Sequence, residues 1–88
     1  MDLTIIIPFF NGYDTISHLI KAIPNTFKIL VVNDLSDSGY ESTKSNVTVL
    51  NLNKKGYFTG AVNEGIKACS TDVLILNQDV MVTDALFA

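Results

Sequence analysis

Four short apolar runs alternate along the chain with longer polar or amphipathic segments. The runs are rich in Val and Ile and apolar on both faces, which is typical of strands buried from both sides. Roughly 15 to 25 residues separate successive runs, a spacing that suits crossovers between parallel strands and excludes hairpins. We therefore predict strands at residues 3–7, 29–32, 47–50 and 73–76.

The first crossover carries four apolar residues at i, i+3, i+4 and i+7, the spacing that places side chains on one face of a helix. These residues are Ile16, Leu19, Ile20 and Ile23. We expect Asp14 or Thr15 to cap the start of this helix, because such side chains accept hydrogen bonds from the open backbone N–H groups. Pro24 is expected to end it.

The third crossover carries a second apolar stripe of helical period, formed by Phe58, Ala61, Val62, Ile66 and Cys69. Cys69 is expected to be a buried core thiol. Gly60 and Gly65 each weaken the predicted helix by about 1 kcal/mol relative to alanine. We therefore expect them to serve close packing or the approach of a ligand to the backbone. The second crossover, residues 35–46, is rich in Ser, Asp and Gly and predicts only a short, irregular helix.

This alternation predicts an α/β fold, a three-layer sandwich with a mainly parallel four-stranded sheet. The expected strand order is 3-2-1-4, with the first and third crossover helices on opposite faces of the sheet or flanking it. With 88 residues, 48% of them hydrophobic and 17% charged, the chain has the composition of a single globular domain over residues 1–88. Residues 83–88 look like a capped helix that stops after one turn, so we expect a longer parent protein.

Polar side chains follow each predicted strand. The carboxyl ends of parallel strands meet at one edge of a sheet, and ligands bind outside that edge. Asn and Asp also favour the turns that leave strands, which explains any one of these residues without a ligand but explains four aligned strand ends less well. The residues are Asn11, Asn33, Asp34, Asn51, Asn53, Asn77 and Asp79.

The net charge of −3 and the sequence pI near 4.7 exclude binding of nucleic acid through a basic surface. An acidic chain that binds an anion needs a cation or backbone dipoles between the two. Lys54 and Lys55 form the only basic doublet of the sequence, and we expect both to be solvated, with contact to a phosphate as the alternative. The motifs G-x-x-x-x-G-K-[ST] and G-x-G-x-x-G are not present.

Five segments, in their order and spacing, resemble the donor-binding half of family 2 glycosyltransferases, which are inverting enzymes with a GT-A fold. The segments are TIIIPFFN at 4–11, VVNDLSD at 31–37, NKKG at 53–56, AVNEGI at 61–66 and LNQDV at 76–80. The resemblance covers nearly the whole chain. It implies that the sheet is the Rossmann-like half of a GT-A domain and that the ligand is a nucleoside-diphosphate sugar linked to UDP or dTDP.

The resemblance implies roles for residues at the first two strand ends. Pro8, Phe9, Phe10 and Asn11 correspond to the floor beneath the nucleotide base. Phe10 stands at the position of the aromatic residue that stacks on the base. Asp34 corresponds to the acidic residue that accepts a hydrogen bond from the imide N–H of a pyrimidine.

Residues 77–79 correspond to the D-x-D motif of the family, whose last carboxylate binds a divalent metal. Asp79 is thus the implied ligand of Mg²⁺ or Mn²⁺, and Asn77 the implied contact to the ribose or the metal. Asn77 replaces the usual first Asp, which is expected to weaken metal affinity. The Leu-Asn-x-Asp-Val form is most similar to rhamnosyl- or galactofuranosyl-transferring members. Asn63 is a further nucleotide-contact candidate, with a hydrogen bond to a neighbouring loop as the alternative.

The catalytic base and acceptor site of the family correspond to positions beyond residue 88. The resemblance therefore implies no catalytic residue in this chain and no transfer by the chain alone. The implied acceptor is a glycan or a lipid-linked molecule in polysaccharide synthesis. The single Cys69 and the lack of a signal-like stretch favour a cytoplasmic location. For a longer parent protein, the inner face of the membrane is the alternative location. A homodimer of the chain is a further possibility to test, because a chain without the packing partners of its longer parent exposes apolar surface.

Two other classes of function stay open. One is a non-catalytic nucleotide-binding or regulatory α/β module. A receiver-like domain of this kind needs an acidic pair after the first strand, where this chain has Phe9, Phe10 and Asn11. The other is a structural or assembly domain, in which one edge of the sheet pairs with another copy.

Overall fold

Strands and helices follow one another along the described residues as the apolar pattern predicts, except that no helix lies between the second and third strands. The computed structural model describes residues 3–36, 40–42 and 44–77. The elements are β1 (Leu3–Phe9), α1 (Tyr13–Ala22), β2 (Lys28–Asn33), β3 (Val47–Asn51), α2 (Tyr57–Lys67) and β4 (Asp72–Ile75). The four strands form one parallel sheet in the order β3-β2-β1-β4, so the predicted α/β class, parallel sheet and strand order are confirmed.

The sheet has a helix on each face, because alternate residues of a strand point to opposite sides. Ile5, Ile7 and Phe9 of β1 belong to the core cluster that α1 covers. Ile6, between them, packs in a second cluster with Ala61 of α2. This is the predicted three-layer arrangement, with the first and third crossover helices on opposite faces.

The edge strands are less buried than their apolar sequences predict. Every described residue of β3 and β4 is half-buried or exposed, and Thr48 and Ile75 are exposed outright. Burial from both sides is therefore confirmed for β1 and β2 and wrong for β3 and β4. An edge strand has a neighbour on one side only, and α2 packs over β1 and β2.

Helix α1 begins at Tyr13, before both of its predicted caps. Gly12 precedes the helix, and no side chain among the described residues caps its start. The Thr15 hydroxyl instead donates to the Gly12 carbonyl at 2.9 Å. The prediction that Asp14 or Thr15 caps the helix is therefore wrong. Asp14 lies inside the first turn, where its negative charge still suits the positive end of the helix dipole.

The helix ends before Pro24, as predicted. Ile23 is extended, with φ −89° and ψ 128°, because the residue before a proline avoids helical angles. The Lys44 ammonium donates to the carbonyls of Ile20 and Ile23 at 2.9 and 3.1 Å, which satisfies acceptors that a helix end leaves open. Lys44 thereby attaches the second crossover to α1. The short helix predicted for 35–46 does not appear among the described residues of that segment.

Tyr40 also attaches the second crossover to the core. Its ring lies 5.2 Å from the ring of Phe9, centroid to centroid. Burial raises the pKa of Tyr40 above its usual value, and a hydrogen bond with Ser42 opposes that shift.

The predicted apolar stripe of α2 is only partly buried. Ala61 and Val62 are buried, and Cys69, just beyond the helix, is half-buried against the same cluster rather than fully buried. Phe58 and Ile66 are exposed. The helix contacts the sheet over a narrower strip than the helical period indicates.

Gly65 lies in close contact with the sheet. A Cβ there would be 2.9 Å from Ile6 Cγ2 and 3.1 Å from Val32 Cγ2, and both of those side chains are fully buried in central strands. Close packing is therefore confirmed for Gly65. A Cβ at Gly60 would meet nothing within 4 Å, so the packing role is wrong there.

These two glycines give a matched test of the α2 contact. Overpacking costs about 1–3 kcal/mol, and alanine gains about 1 kcal/mol of helix propensity over glycine. We expect Gly65→Ala to lower the free energy of unfolding by up to about 2 kcal/mol, and Gly60→Ala to raise it by about 0.5–1 kcal/mol. Urea unfolding followed by circular dichroism measures both. Equal stabilisation by the two substitutions would be inconsistent with close packing at Gly65.

Candidate functional site

The carboxyl ends of the strands lie side by side, as the polar residues after them predict. In the register of the sheet, Phe9 pairs with Asn33 and Asn33 with Asn51. The buried Asn33 side chain donates to Asn51 Oδ1 at 2.7 Å, and its own Oδ1 accepts from the Ser36 amide at 3.1 Å. Asn33 and Asn51 therefore hold this edge together.

Pro8 ends the pairing of β1 with β4 at the same edge. Along β1 the hydrogen bonds alternate between the two neighbours. The Ile6 carbonyl accepts from Leu76 at 3.0 Å, on the β4 side, and the Phe9 carbonyl accepts from Asp34 at 2.9 Å, on the β2 side. By this alternation residue 8 would donate toward β4, and proline has no N–H to donate. The register of β1 with β4 accordingly ends at Ile6, before Pro8.

An open cavity of about 460 Å³ lies at this edge. It is lined by Pro8, Phe9, Phe10, Asp34, Lys55, Tyr57, Phe58, Ala61 and Asn77. The structure thus brings most of the predicted nucleotide-contact residues together. Asn11 and Asn63 are not among the lining residues. Asn63 is exposed on α2 and lines a neighbouring groove with Lys54 and Lys67.

Asp34 is a buried carboxylate at the end of β2, only 4% exposed. Its Oδ1 accepts from the Gly56 amide at 2.7 Å, and its Oδ2 lies 3.1 Å from the Lys55 ammonium. Gly56 directly precedes α2, so this carboxylate fixes the start of α2 to the end of β2. A carboxylate has about four lone-pair positions, so both oxygens keep capacity to accept further hydrogen bonds.

Lys55 is held inside the site, which corrects the prediction that it is solvated. Its side chain is 30% exposed, and its ammonium donates to the Asp34 carbonyl at 3.1 Å in addition to the ion pair. The same Nζ lies 3.4 Å from the centroid of the Phe10 ring and 5.4 Å from that of Tyr57. Both distances are within the range of cation–π contacts. Lys54 is exposed, as predicted.

The two adjacent phenylalanines have different surroundings. Phe9 is 1% exposed, and its ring packs edge-on against Tyr13 with centroids 5.1 Å apart. Phe10 is 46% exposed at the cavity. The side chain of Phe9 therefore belongs to the core on the α1 side, and Phe10 is the exposed ring of the pair at the cavity.

Left-handed backbone angles occur around this edge, at Asn11 (φ 56°), Leu35 (φ 56°) and Tyr57 (φ 59°). Asparagine adopts them readily, whereas leucine and tyrosine do so at a cost of about 1–3 kcal/mol. They turn the chain after β1, after β2 and at the start of α2. The Asn11 amide donates to Ser36 Oγ at 2.9 Å, so the first two turns support each other.

Tyr57 and Phe58 are lining residues that the sequence pattern does not predict. The helical period assigns Phe58 to the buried stripe and assigns no role to Tyr57. Both rings are exposed at the start of α2, which Asp34 holds at the sheet edge through Gly56. The sequence carries no signal that distinguishes them, since Tyr13 also follows a glycine at a helix start and packs against Phe9 in the core.

Asn77 is the one predicted metal contact that the structure describes. The described residues contain no group of three or more His, Cys, Asp or Glu side chains that could hold a metal ion. Asn77 is exposed at the cavity and carries an amide oxygen of the kind that Mg²⁺ and Mn²⁺ accept. Asp79, the predicted metal ligand, lies outside the described residues.

Comparison with known proteins gives one family. The family model for Glycosyl transferase family 2 matches residues 4–85, which include the strand ends and the cavity. A search of curated proteins gives no match. Within residues 3–36, 40–42 and 44–77, no helix is long and apolar enough to cross a membrane.

Proposed function

The chain belongs to glycosyltransferase family 2, and from this premise we propose that its cavity binds the nucleoside diphosphate of a sugar donor. The observation that carries the proposal is the placement of Phe10 and Asp34 within reach of one group, the Lys55 ammonium. An exposed ring beside a buried carboxylate matches a pyrimidine base, which has a flat face for stacking and, in uracil and thymine, an imide N–H. The parallel sheet is consistent with the Rossmann-like half of a GT-A fold.

Asp34 makes the proposed site selective between pyrimidines. Uracil and thymine present an N–H at N3, which donates to a carboxylate. Cytosine has a lone pair and no proton at N3. When that lone pair faces the buried carboxylate, N3 and the carboxylate oxygen are both acceptors, and neither finds a donor. We therefore propose a UDP- or dTDP-linked donor.

We propose that Mg²⁺ or Mn²⁺ joins the diphosphate to the protein, with Asn77 and Asp79 as the chain's ligands. The residues present fit such an ion, because these metals need only one or two protein oxygens and take the rest from phosphate and water. Asp34 is already engaged by Gly56 and Lys55. When bound, the ion offsets the repulsion between the diphosphate and a chain of net charge −3, and it stabilises the departing nucleoside diphosphate.

We propose that this chain supplies donor recognition and does not complete the transfer. Asp34 is the one carboxylate among the described lining residues, and the proposal assigns it to the nucleotide base rather than to the acceptor. The acceptor hydroxyl, on a glycan or a lipid-linked molecule, then loses its proton to a group outside this lining. A cytoplasmic location and rhamnosyl specificity stay predictions from the resemblance.

Titration calorimetry of the 88-residue chain with UDP, dTDP and CDP, in Mn²⁺ and in chelator, tests the proposal. We expect UDP and dTDP to bind in Mn²⁺ and to bind far more weakly in chelator. CDP is expected to bind at least about 10-fold more weakly than UDP. No sugar transfer to any acceptor is expected. Failure of all three nucleotides to bind a folded chain would overturn the proposal.

The Asn77→Asp substitution tests the metal part separately. A second carboxylate beside the ion is expected to raise the Mn²⁺-dependent affinity for UDP about 10-fold, equivalent to about 1.4 kcal/mol. Asn51→Asp is the matched control, because it adds the same charge at an exposed position of the same edge and keeps the acceptor oxygen for Asn33. If both substitutions change the affinity equally, the effect comes from net charge and not from a metal ligand.

A further inference from the structure

Lys55 contacts both of the groups that the proposed function assigns to the nucleotide base. Its ammonium lies 3.1 Å from Asp34 Oδ2 and 3.4 Å from the centroid of the Phe10 ring. A base that stacks on Phe10 and donates to Asp34 uses the same two groups. The ammonium and the base therefore compete for one position.

We propose that Lys55 is a displaceable internal ligand that makes base recognition depend on the diphosphate. A nucleoside has to remove the ammonium from Asp34 and Phe10, and it carries no anionic group to receive that ammonium. A nucleoside diphosphate carries phosphate oxygens, with which the released ammonium pairs. Lys55 is then a specificity-determining residue of the donor site, and this inference rests on the proposed function.

The backbone around Lys55 allows this exchange without moving the rest of the site. The next residue, Gly56, has its amide fixed on Asp34 Oδ1, and a Cβ at Gly56 would lie only 3.1 Å from the backbone of Gly60. The backbone therefore stays in place while the four-carbon stem of the lysine rotates. The side chain is 30% exposed, which leaves it a path out of the cavity. Asp34 stays oriented by Gly56 and ready to accept the imide N–H.

The Lys55→Met substitution separates this role from that of an ordinary contact. Methionine keeps most of the stem and removes the charge. We expect uridine to bind about 3- to 10-fold more tightly, because no ion pair with Asp34 and no cation–π contact with Phe10 has to be broken. UDP in Mn²⁺ is expected to bind about 10-fold more weakly, because the phosphate loses its ammonium partner. Lys54→Met, which removes the same charge from the exposed neighbour, controls for net charge and is expected to change both affinities less than about 3-fold.

A measurement on the unchanged protein tests the displacement directly. Protons held over an aromatic ring resonate upfield, so the ε-methylene protons of Lys55 should show this shift without nucleotide. The shift should disappear when UDP is added, and it should be missing in Phe10→Leu. Persistence of the shift in the UDP complex would overturn the displacement.

The outcomes separate this inference from the function on which it rests. Opposite changes for uridine and UDP in Lys55→Met support the exchange. Changes of the same sign, or none, with UDP still bound by the unchanged protein, would overturn the exchange and leave the proposed function standing. No binding of either ligand by the folded, unchanged protein would overturn both.

Discussion

Replacement of Phe9 by alanine is expected to lower the free energy of unfolding by about 3–5 kcal/mol. A chain of this size has about 4–13 kcal/mol in total, so the loss is a large fraction of its stability. Phe9 is 1% exposed, and its ring contacts Tyr13 at the start of α1 and Tyr40 in the second crossover. Removing that ring opens a cavity where the two segments meet the sheet, and the surrounding strands are too constrained to fill it.

Phe10→Ala is the matched control, because it removes the same atoms one residue further along. Phe10 is 46% exposed, so we expect a loss of about 1 kcal/mol or less in stability. Because the variant loses the Phe10 ring as a stacking surface, we expect UDP binding to weaken by about 1–3 kcal/mol. Urea unfolding and calorimetry measure the two effects. Equal destabilisation by both substitutions would show that Phe9 is not the core residue of the pair.

The fold can be predicted because short, continuous stretches of the sequence specify its strands and crossovers. Continuous apolar runs such as that of β1 belong to buried parallel strands, and their spacing requires crossovers. The extent of burial is less predictable, because the run of β4 looks like that of β1 although Ile75 is exposed and Ile5 is not. The difference depends on which strand lies at the edge of the sheet, which no single run encodes.

The site is predictable where it depends on strand ends and unpredictable where it depends on packing. Asp34 and Asn77 lie within two residues of the ends of apolar runs, so topology alone places them at the ligand-binding edge. Lys55 lies 21 residues beyond Asp34 in the chain, and its local pattern is that of a solvated basic doublet. Only the packing of α2 against the sheet brings its ammonium to Asp34 and Phe10. Tyr57 and Phe58 reach the cavity for the same reason.

Asp34→Ala is expected to weaken UDP binding about 100-fold, because it removes the acceptor of the imide N–H from a buried position. The same substitution also removes the acceptor of the Gly56 amide and the partner of Lys55. Its effect therefore combines loss of recognition with a disturbed start of α2. A smaller change is needed to separate the two roles.

Asp34→Asn separates them, because the amide keeps one acceptor and converts the other into a donor. With its oxygen on the Gly56 amide, its NH₂ group replaces Oδ2, on the side of Lys55 and Phe10. The imide N–H of uracil then meets a donor, whereas N3 of cytosine meets a partner. We expect UDP affinity to fall about 100-fold and CDP affinity to rise about 10-fold, which inverts the preference. Stability should stay within about 1–2 kcal/mol of the parent, since the Gly56 contact survives and Lys55 is free to turn outward. Calorimetry with both nucleotides in Mn²⁺ measures the affinities, and urea unfolding measures the stability. If a folded Asp34→Asn protein lost UDP and CDP binding in parallel, Asp34 would have only its structural role at the start of α2 and no role in base recognition.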